Sequence, residues 1–468
     1  MTRDETVALF LQGREAWNAW AEKMLAERKA LEDAGDWFAE KDPYGSLKPK
    51  NAETRTWTTA TAADFSYCQF TAKGTEWLPK KAITQVRVEE DSIDFSGFSF
   101  PGDADFGSTT FSSFARFEGT AFMGVGVFSD ATFSRACSFA STLFSGEASF
   151  GGATFSGEGY FKNIGMTAQF EGTKFLGTAW FPDATFSGHA VFENAIFSGH
   201  VRFAGTTFSD SVTFIRATFP KLARFDGATF QKAASFAQAK FLMEAEFSGI
   251  KVERAFDMTG AEFFEVPAFN QADFKQAPDL DDVRFPLPDF WRAGKAKLAA
   301  QYRAIRRMAI QGADYEREQM AYKGELRSRR WTVDRWWSIG TWIGLFYDAF
   351  ADCGRSIVRP ANTWLASILV FAAFYWQRAA VGAGAHCEEA GGAAVQALFL
   401  SVKNALVIFG GTRDARVNQA YLCLYDGKPE LPHIPPTVTF VETLAQIPVS
   451  ATLIFLFLLA VKNRFKIK

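Results

Sequence analysis

The sequence predicts a long β-solenoid of square coils, followed by a helical region with two membrane-spanning segments. Three observations carry this. Phenylalanine recurs at alternating steps of six and five, as in ATFSGHAVFENAIFSGHVRFAGTTFSDSVTF, where it stands at 186, 192, 197, 203, 208 and 214. This period stops at Phe285, and helical spacing takes over. The last third of the chain holds two mostly apolar stretches, 361–377 and 443–461.

Each element follows in order. From Phe95 to Phe285 the frame predicts thirty-six centre positions, with one two-residue deletion between Met166 and Phe170. Thirty-two of them are Phe; the exceptions are Met166, Val252, Met258 and Leu280. A small residue precedes most centres by two, among them Ala131, Ala153, Ala184, Ala195, Ala217 and Ala228. An earlier fragment, ADFSYCQF, has the same spacing at Phe65 and Phe70, and a non-repeating insertion around Trp77 to Glu90 follows it. A unit this short buries its apolar face only against an identical unit stacked above and below. Four units make one turn, and coils stack at about 4.8 Å, which predicts nine coils and a rod roughly 40 Å long. Ser-Gly, Asp-Gly and Ser-Asp pairs supply the corners.

These residues resemble the pentapeptide-repeat family in its Phe-centred variant with an eleven-residue double unit. The resemblance covers about half the chain and implies a right-handed quadrilateral β-helix over 58–285. GREAWNAWAEK, Gly13 to Lys23, looks like the helical cap that precedes such repeats, so 1–57 is expected to be an N-terminal helical cap. A spacer or docking role is the expected function of the rod. Duplex mimicry of the kind that protects topoisomerases needs an acidic, free rod. Here Lys162, Lys174, Arg202, Arg216, Lys221 and Arg224 are mixed with the acids. His189 and His200, one double unit apart, are expected at surface corners on opposite faces.

The formal charge of −2 gives no reason to expect a nucleic-acid partner. Four histidines and five scattered cysteines without a CxxC argue against a zinc site. No Ser/His/Asp, Cys/His or paired-carboxylate arrangement stands out and no phosphate loop appears, so neither an enzyme, a cofactor nor a metal is expected. Met1 to Trp20 lacks the apolar core of a secretory signal.

Residues 286–330 are expected to form a helical connector that caps the rod. Leu298, Tyr302, Ile305, Met308 and Ala309 fall at helical spacing, Gly312 to Asp314 marks a break, and a second polar helix runs from Glu316 to Arg330. Between Trp291 and Arg335 twelve Lys/Arg face five Asp/Glu, a balance suited to anionic lipid. In 331–352, Trp336, Ile339, Ile343, Phe346, Tyr347 and Phe350 share a stripe. An interfacial amphipathic helix is expected there despite Asp334, Arg335 and Asp348; a helix packed on protein is the alternative.

Residues 353–468 are expected to be a transmembrane domain, with a buried core hairpin as the alternative for its two spans. Pro360 suits a first helical turn, Arg378 a snorkelling end, and Pro448 a kink. Arg355 and Arg359 before the first span, and Lys462, Arg464, Lys466 and Lys468 after the second, place both termini and the β-helix in the cytoplasm of a bacterium, with the spans in its inner membrane. The intervening loop would lie outside, where a disulfide between Cys387 and Cys423 is expected and the other three cysteines stay reduced.

Between the spans, AVQALFLSVKNALVIFGGTRD suggests a re-entrant helix at 394–409 that is too short to cross. Gly410 and Gly411 permit a turn at membrane depth. DCGRSIVRP (352–360), LSVKNALVIFGG and LAVKNRFKIK (459–468) resemble the membrane module found behind Phe-rich pentapeptide repeats, which looks like a two-span pore-loop ion channel. That resemblance implies a pore formed by several copies, and a tetramer is expected. Ser401, Asn404, Phe409, Gly410, Gly411 and Thr412 are the expected pore-lining residues. The chain lacks a TVGYG filter, and Lys403 and Arg413 fit a cation pore poorly. A membrane-anchored scaffold, whose rod binds a cytoplasmic protein without conduction, is the alternative function.

Overall fold

A computed structural model describes residues 1–41, 47–71, 84–88, 90–162, 165–288, 296–330, 338–379, 392–406, 415–425, 427–428, 431–432 and 434–465. The chain divides into a unit of Met1–Pro288 with Lys297–Glu318 and a unit of Asp289–Ala296 with Gln319–Lys468.

The alternation of five and six comes from two kinds of corner in the first unit. After Phe192 and Phe214 the chain makes a five-residue step through a β-turn. The N–H of the third following residue donates back to the ring residue's carbonyl, Ala195 to Phe192 at 3.2 Å and Ala217 to Phe214 at 3.0 Å. In such turns the second residue after the ring lies in the left-handed region, as Gly205 and Gly227 do at φ 69°. A positive φ at that position alone makes these type II turns. The six-residue steps run through an open bend instead, as at Gly188. Asp130, Asp183 and Asn194 adopt the left-handed corner readily. Arg216 and Gln238, at φ 57° and 58°, do so against the steric preference of a long side chain. Arg216→Gly is therefore expected to stabilise the protein by about 0.5–1 kcal/mol, the relief of a left-handed side chain less glycine's extra unfolded entropy. Thermal unfolding of the two proteins checks it.

The coils stack as parallel two-residue strands. Coil-to-coil hydrogen bonds are short, Phe192 N–H to Thr213 carbonyl at 2.7 Å and Phe203 N–H to Arg224 carbonyl at 2.7 Å. Rings one coil apart therefore lie at the strand spacing. Phe181, Phe203, Phe225, Phe247 and Phe269 form one column with centroids 4.6 to 5.1 Å apart and planes within 11°. Three further columns run beside it, for example Phe192–Phe214, Phe197–Phe219 and Phe186–Phe208. Rings in adjacent columns meet edge to face, Phe203 on Phe192 at 82°. Such contacts add about 0.5–1.5 kcal/mol each beyond the area buried. Several inner small positions hold Thr, whose hydroxyl donates to a ring residue's carbonyl one coil back: Thr142 to Phe117, Thr173 to Phe150 and Thr206 to Phe181.

The two-residue deletion is absorbed at a corner. Leu143 pairs with Gly165, a separation of 22, but Glu147 pairs with Thr167, a separation of 20, so the register shifts between them. The solenoid has about eight turns, with eight strands on the face from Ile93–Asp94 to Ala245–Glu246. The expected ninth coil is reduced largely to isolated bridges such as Glu246–Ala268 and Asp257–Asp279. Pro267 and Pro278 fall there and bring no N–H to the ladder.

Helices close both ends. Helix α1 (Arg3–Phe10) and helix α2 (Arg14–Ala34) set Phe10 against Phe65, Phe70 and Phe95, and Trp17 against Phe65 and Phe100. The Trp17 indole N–H donates to the Ser99 carbonyl at 2.8 Å. Helix α3 (Ala52–Thr61) completes this cap and buries Trp57. At the far end, helix α4 (Ala296–Gln311) lies on the last coil: Gln311 donates to the Phe274 carbonyl at 3.0 Å, and the buried Tyr302 hydroxyl donates to that of Pro286.

The second unit is helical. Helix α5 (Tyr315–Arg329), helix α6 (Ile339–Ala351), helix α7 (Val358–Gln377), helix α8 (Ala393–Ala405) and helix α9 (Ala415–Tyr425) precede a long final helix. Its start is α10 (Pro436–Val441), its middle a π-helical turn at Glu442–Gln446, and its remainder α11 (Ile447–Phe465). Pro448 offers no N–H to the Leu444 carbonyl, which accounts for the widened turn just before it. Pro436–Lys462, 27 residues with a mean hydropathy of 2.3, is long and apolar enough to cross a membrane, and 33% of its apolar window is buried. Ile339–Gly354 and Val358–Gln377 meet that standard only as a pair, bent by 119°.

Candidate functional site

In the helical unit several polar side chains are buried while many large apolar ones are exposed. On α6 the exposed residues include Ile339 at 77%, Ile343 at 62% and Phe346 at 51%, whereas Asp348 is fully buried. Asp348 receives two hydrogen bonds from Arg327, at 2.8 and 3.0 Å, and one from Arg330 at 2.9 Å. Lys323 and Arg359 meet at Asp352. Lys323 and Arg327 lie one turn apart on α5, with Arg330 just past its end, and Asp348 lies one turn before Asp352, the residue that ends α6. The chain then turns through three successive left-handed residues, Asp352, Cys353 and Gly354, at φ 51°, 54° and 87°. Two of them carry side chains, so the elbow stores strain that the pairs at Asp352 hold in place.

A second cluster joins α7, α8 and the π-helical turn. Tyr375, Ser401 and Gln446 are fully buried and Asn404 nearly so. Gln446 donates to the Ser401 carbonyl at 2.8 Å and is 2.9 Å from its hydroxyl; the Tyr375 hydroxyl donates to Gln446. Ser401 donates to the Ile368 carbonyl at 2.6 Å, and Asn404 to the Tyr375 hydroxyl at 3.3 Å. Tyr421 on α9 reaches Glu442 at 2.6 Å. Around this lies an apolar cluster of Ala397, Leu400, Val417, Leu424 and Val438. Helix α8 is thus fastened to its own chain by side chains that cross to two other helices. Buried polar groups hydrogen-bond for want of water, and the network fixes which face of α8 turns inward.

Of the expected pore-lining residues, Ser401 and Asn404 take part in this network. Phe409, Gly410, Gly411 and Thr412 lie outside the described residues, as do Asp334, Arg335 and Trp336. Cys423 is buried and disulfide-bonded; Cys387 lies outside the described residues. Cys68, Cys137 and Cys353 are free and buried. Burial pushes the Cys68 thiol up to about 12 and that of Cys137 upward too. Among the described residues no group of three or more His, Cys, Asp or Glu is placed to hold a metal ion. Sequence reasoning missed Tyr375, Gln446 and Glu442, since a lone polar residue in an apolar run carries no period. Their signal was burial cost: three polar side chains within otherwise apolar segments need partners.

The first unit is a β-solenoid, and comparison with known proteins agrees with its repeat. The family model for pentapeptide repeats (nine copies) matches residues 170–218 and 214–262. The chain therefore carries pentapeptide repeats in the second half of the solenoid. No curated protein and no solved structure matches it.

Proposed function

We propose that the protein is a membrane-anchored pentapeptide-repeat scaffold of the bacterial inner membrane, with a cytoplasmic solenoid that binds a protein partner. One observation carries it: α6, α7 and the last helix expose Ile343, Phe346, Leu369, Val370, Leu444 and Phe455 while Asp348, Ser401 and Gln446 are buried. Water would penalise that arrangement, and hydrocarbon favours it. The four ring columns support a quadrilateral cross-section for the rod. Flanking Arg355, Arg359 and Lys462 favour cytoplasmic termini. Purified full-length protein is expected to co-float with phosphatidylglycerol–phosphatidylethanolamine vesicles and to need detergent otherwise; a protein that stays dispersed without either refutes the proposal.

The second reading is a pore-loop channel made by several copies, most simply four. The length of α8 favours it: thirteen residues, about 20 Å, cannot cross the bilayer, and Gly410 and Gly411 lie just beyond. In this reading Ser401 and Asn404 anchor the re-entrant helix, while Phe409, Gly410, Gly411 and Thr412 face the axis. Two spans per chain enclose no pore, so conduction requires a ring. Current in planar bilayers together with a fourfold particle supports the channel; a silent monomer supports the scaffold.

For the loop outside the membrane we propose that Cys423 pairs with Cys387. Protein denatured without reductant is expected to show three titratable thiols, and five after reduction. Five before reduction would refute the pairing.

A further inference from the structure

We propose that the groove between α7 and α11 binds one membrane phospholipid, an acyl chain lying along the helices and an anionic headgroup at Lys462. This rests on reading the helical unit as membrane-embedded. The groove has a volume of about 240 Å³ and is walled by Ala361, Trp364 and Leu365 on α7 and by Leu453, Ile454 and Leu458 on α11, with no polar surface. An apolar cavity of about 150 Å³ stays dry and takes up benzene, so this larger space suits several methylenes of a chain. Ala361 supplies the notch, because its methyl leaves room where a larger residue would fill the wall.

Two features favour a lipid over a helix from a second copy. The groove pairs the first turns of α7 with the middle of α11, about one turn short of Lys462, so a chain lying in it reaches the headgroup side of the helix pair. Lys462 is exposed and follows Leu458 by one turn, on the same face of α11. A cation one turn past an apolar slot matches a headgroup phosphate attached to a buried chain. The groove is also continuous with the lipid-facing surface, since Leu365 and Leu458 at its edges are both more than half exposed.

Native mass spectrometry of the full-length protein, loaded with phosphatidylglycerol and then exchanged into lipid-free detergent, tests the proposal. One retained lipid per chain is expected. Ala361→Trp, which fills the notch, is expected to lower retention at least tenfold, and Lys462→Gln to remove the preference for phosphatidylglycerol over phosphatidylcholine. As a variant less liable to misfold, Trp364→Phe is expected to remove a share of the fluorescence quenched by brominated-chain phosphatidylglycerol. Unchanged retention in Ala361→Trp, with vesicle co-flotation intact, overturns the lipid site and leaves the membrane reading standing. Loss of co-flotation by the wild type overturns the membrane reading itself. A disulfide between copies of Leu458→Cys assigns the groove to a second chain and also overturns the lipid site.

Discussion

Phe203→Ala is expected to cost about 3–5 kcal/mol and to unfold the middle of the solenoid before either end. Phe203 is fully buried. It stacks on Phe181 at 4.6 Å and on Phe225 at 5.1 Å, and it meets Phe192 and Phe214 edge to face at 5.5 Å. Alanine removes the ring from two coil interfaces at once and leaves a cavity that the hydrogen-bonded coils cannot close. Stability in a stacked repeat is close to a sum of nearest-neighbour terms, so both interfaces weaken together. The loss is a large fraction of the 5–15 kcal/mol typical of a domain. Phe203→Met keeps most of the volume and is expected to cost less than about 1.5 kcal/mol. Met258, a buried column residue already present, shows that the core accepts that shape. Thermal unfolding followed by circular dichroism in detergent gives the ordering, and limited proteolysis locates the first cut. Equal stability of wild type and Phe203→Ala would mean that the ring columns are not the core.

Val252 shows how the chain itself handles a missing ring, and why the frame in the sequence was legible despite its exceptions. At 252 the column loses a phenyl group, and four residues later Phe256 occupies a position that is small in most units. Phe256 is buried and touches Phe230, Phe236, Phe247 and Phe274. Total volume is kept by exchanging the large and small partners, as packed cores require. The repeat could be read because each unit faces the same environment, so one side-chain pattern suffices for all. The reason for alternating five and six was not legible, because Gly, Asp and Ser occur at both kinds of corner, and φ with the turn hydrogen bond separates them. In the helical unit the apolar runs were legible, but the direction of their faces was not. Asp348 reads as a blemish in an apolar stripe; it is the anchor that turns the stripe outward. Ser401 and Asn404 stood out as polar residues in an apolar segment. Their partners Tyr375 and Gln446 come from 29 and 45 residues away, and no local spacing announces a contact across three helices.

That anchor gives the second large effect: Asp348→Ala is expected to destabilise the helical unit by about 3–5 kcal/mol. Asp348 is fully buried, and the guanidinium groups of Arg327, in the last turn of α5, and Arg330, just past its end, converge on its carboxylate. Arg330 is itself 4% exposed. Alanine removes the acceptor of three charge-assisted hydrogen bonds, and taking one side out of a buried ion pair costs more than the pair gains over a neutral core. Asp348→Asn separates charge from shape, since it keeps one acceptor oxygen but not the bidentate bond to Arg327. It should fall between wild type and Asp348→Ala. The Arg359–Asp352 pair should matter less, because Arg359 is 57% exposed and water competes for it. Loss of Asp348 also frees α6 to rotate and present Ile339, Ile343 and Phe346 differently. Trypsin should then cut at Arg327, Arg329 or Arg330 in the detergent-solubilised variant well before it does in wild type. Equal protease resistance and an unchanged melting temperature in Asp348→Ala would show that α6 is held by its apolar face instead.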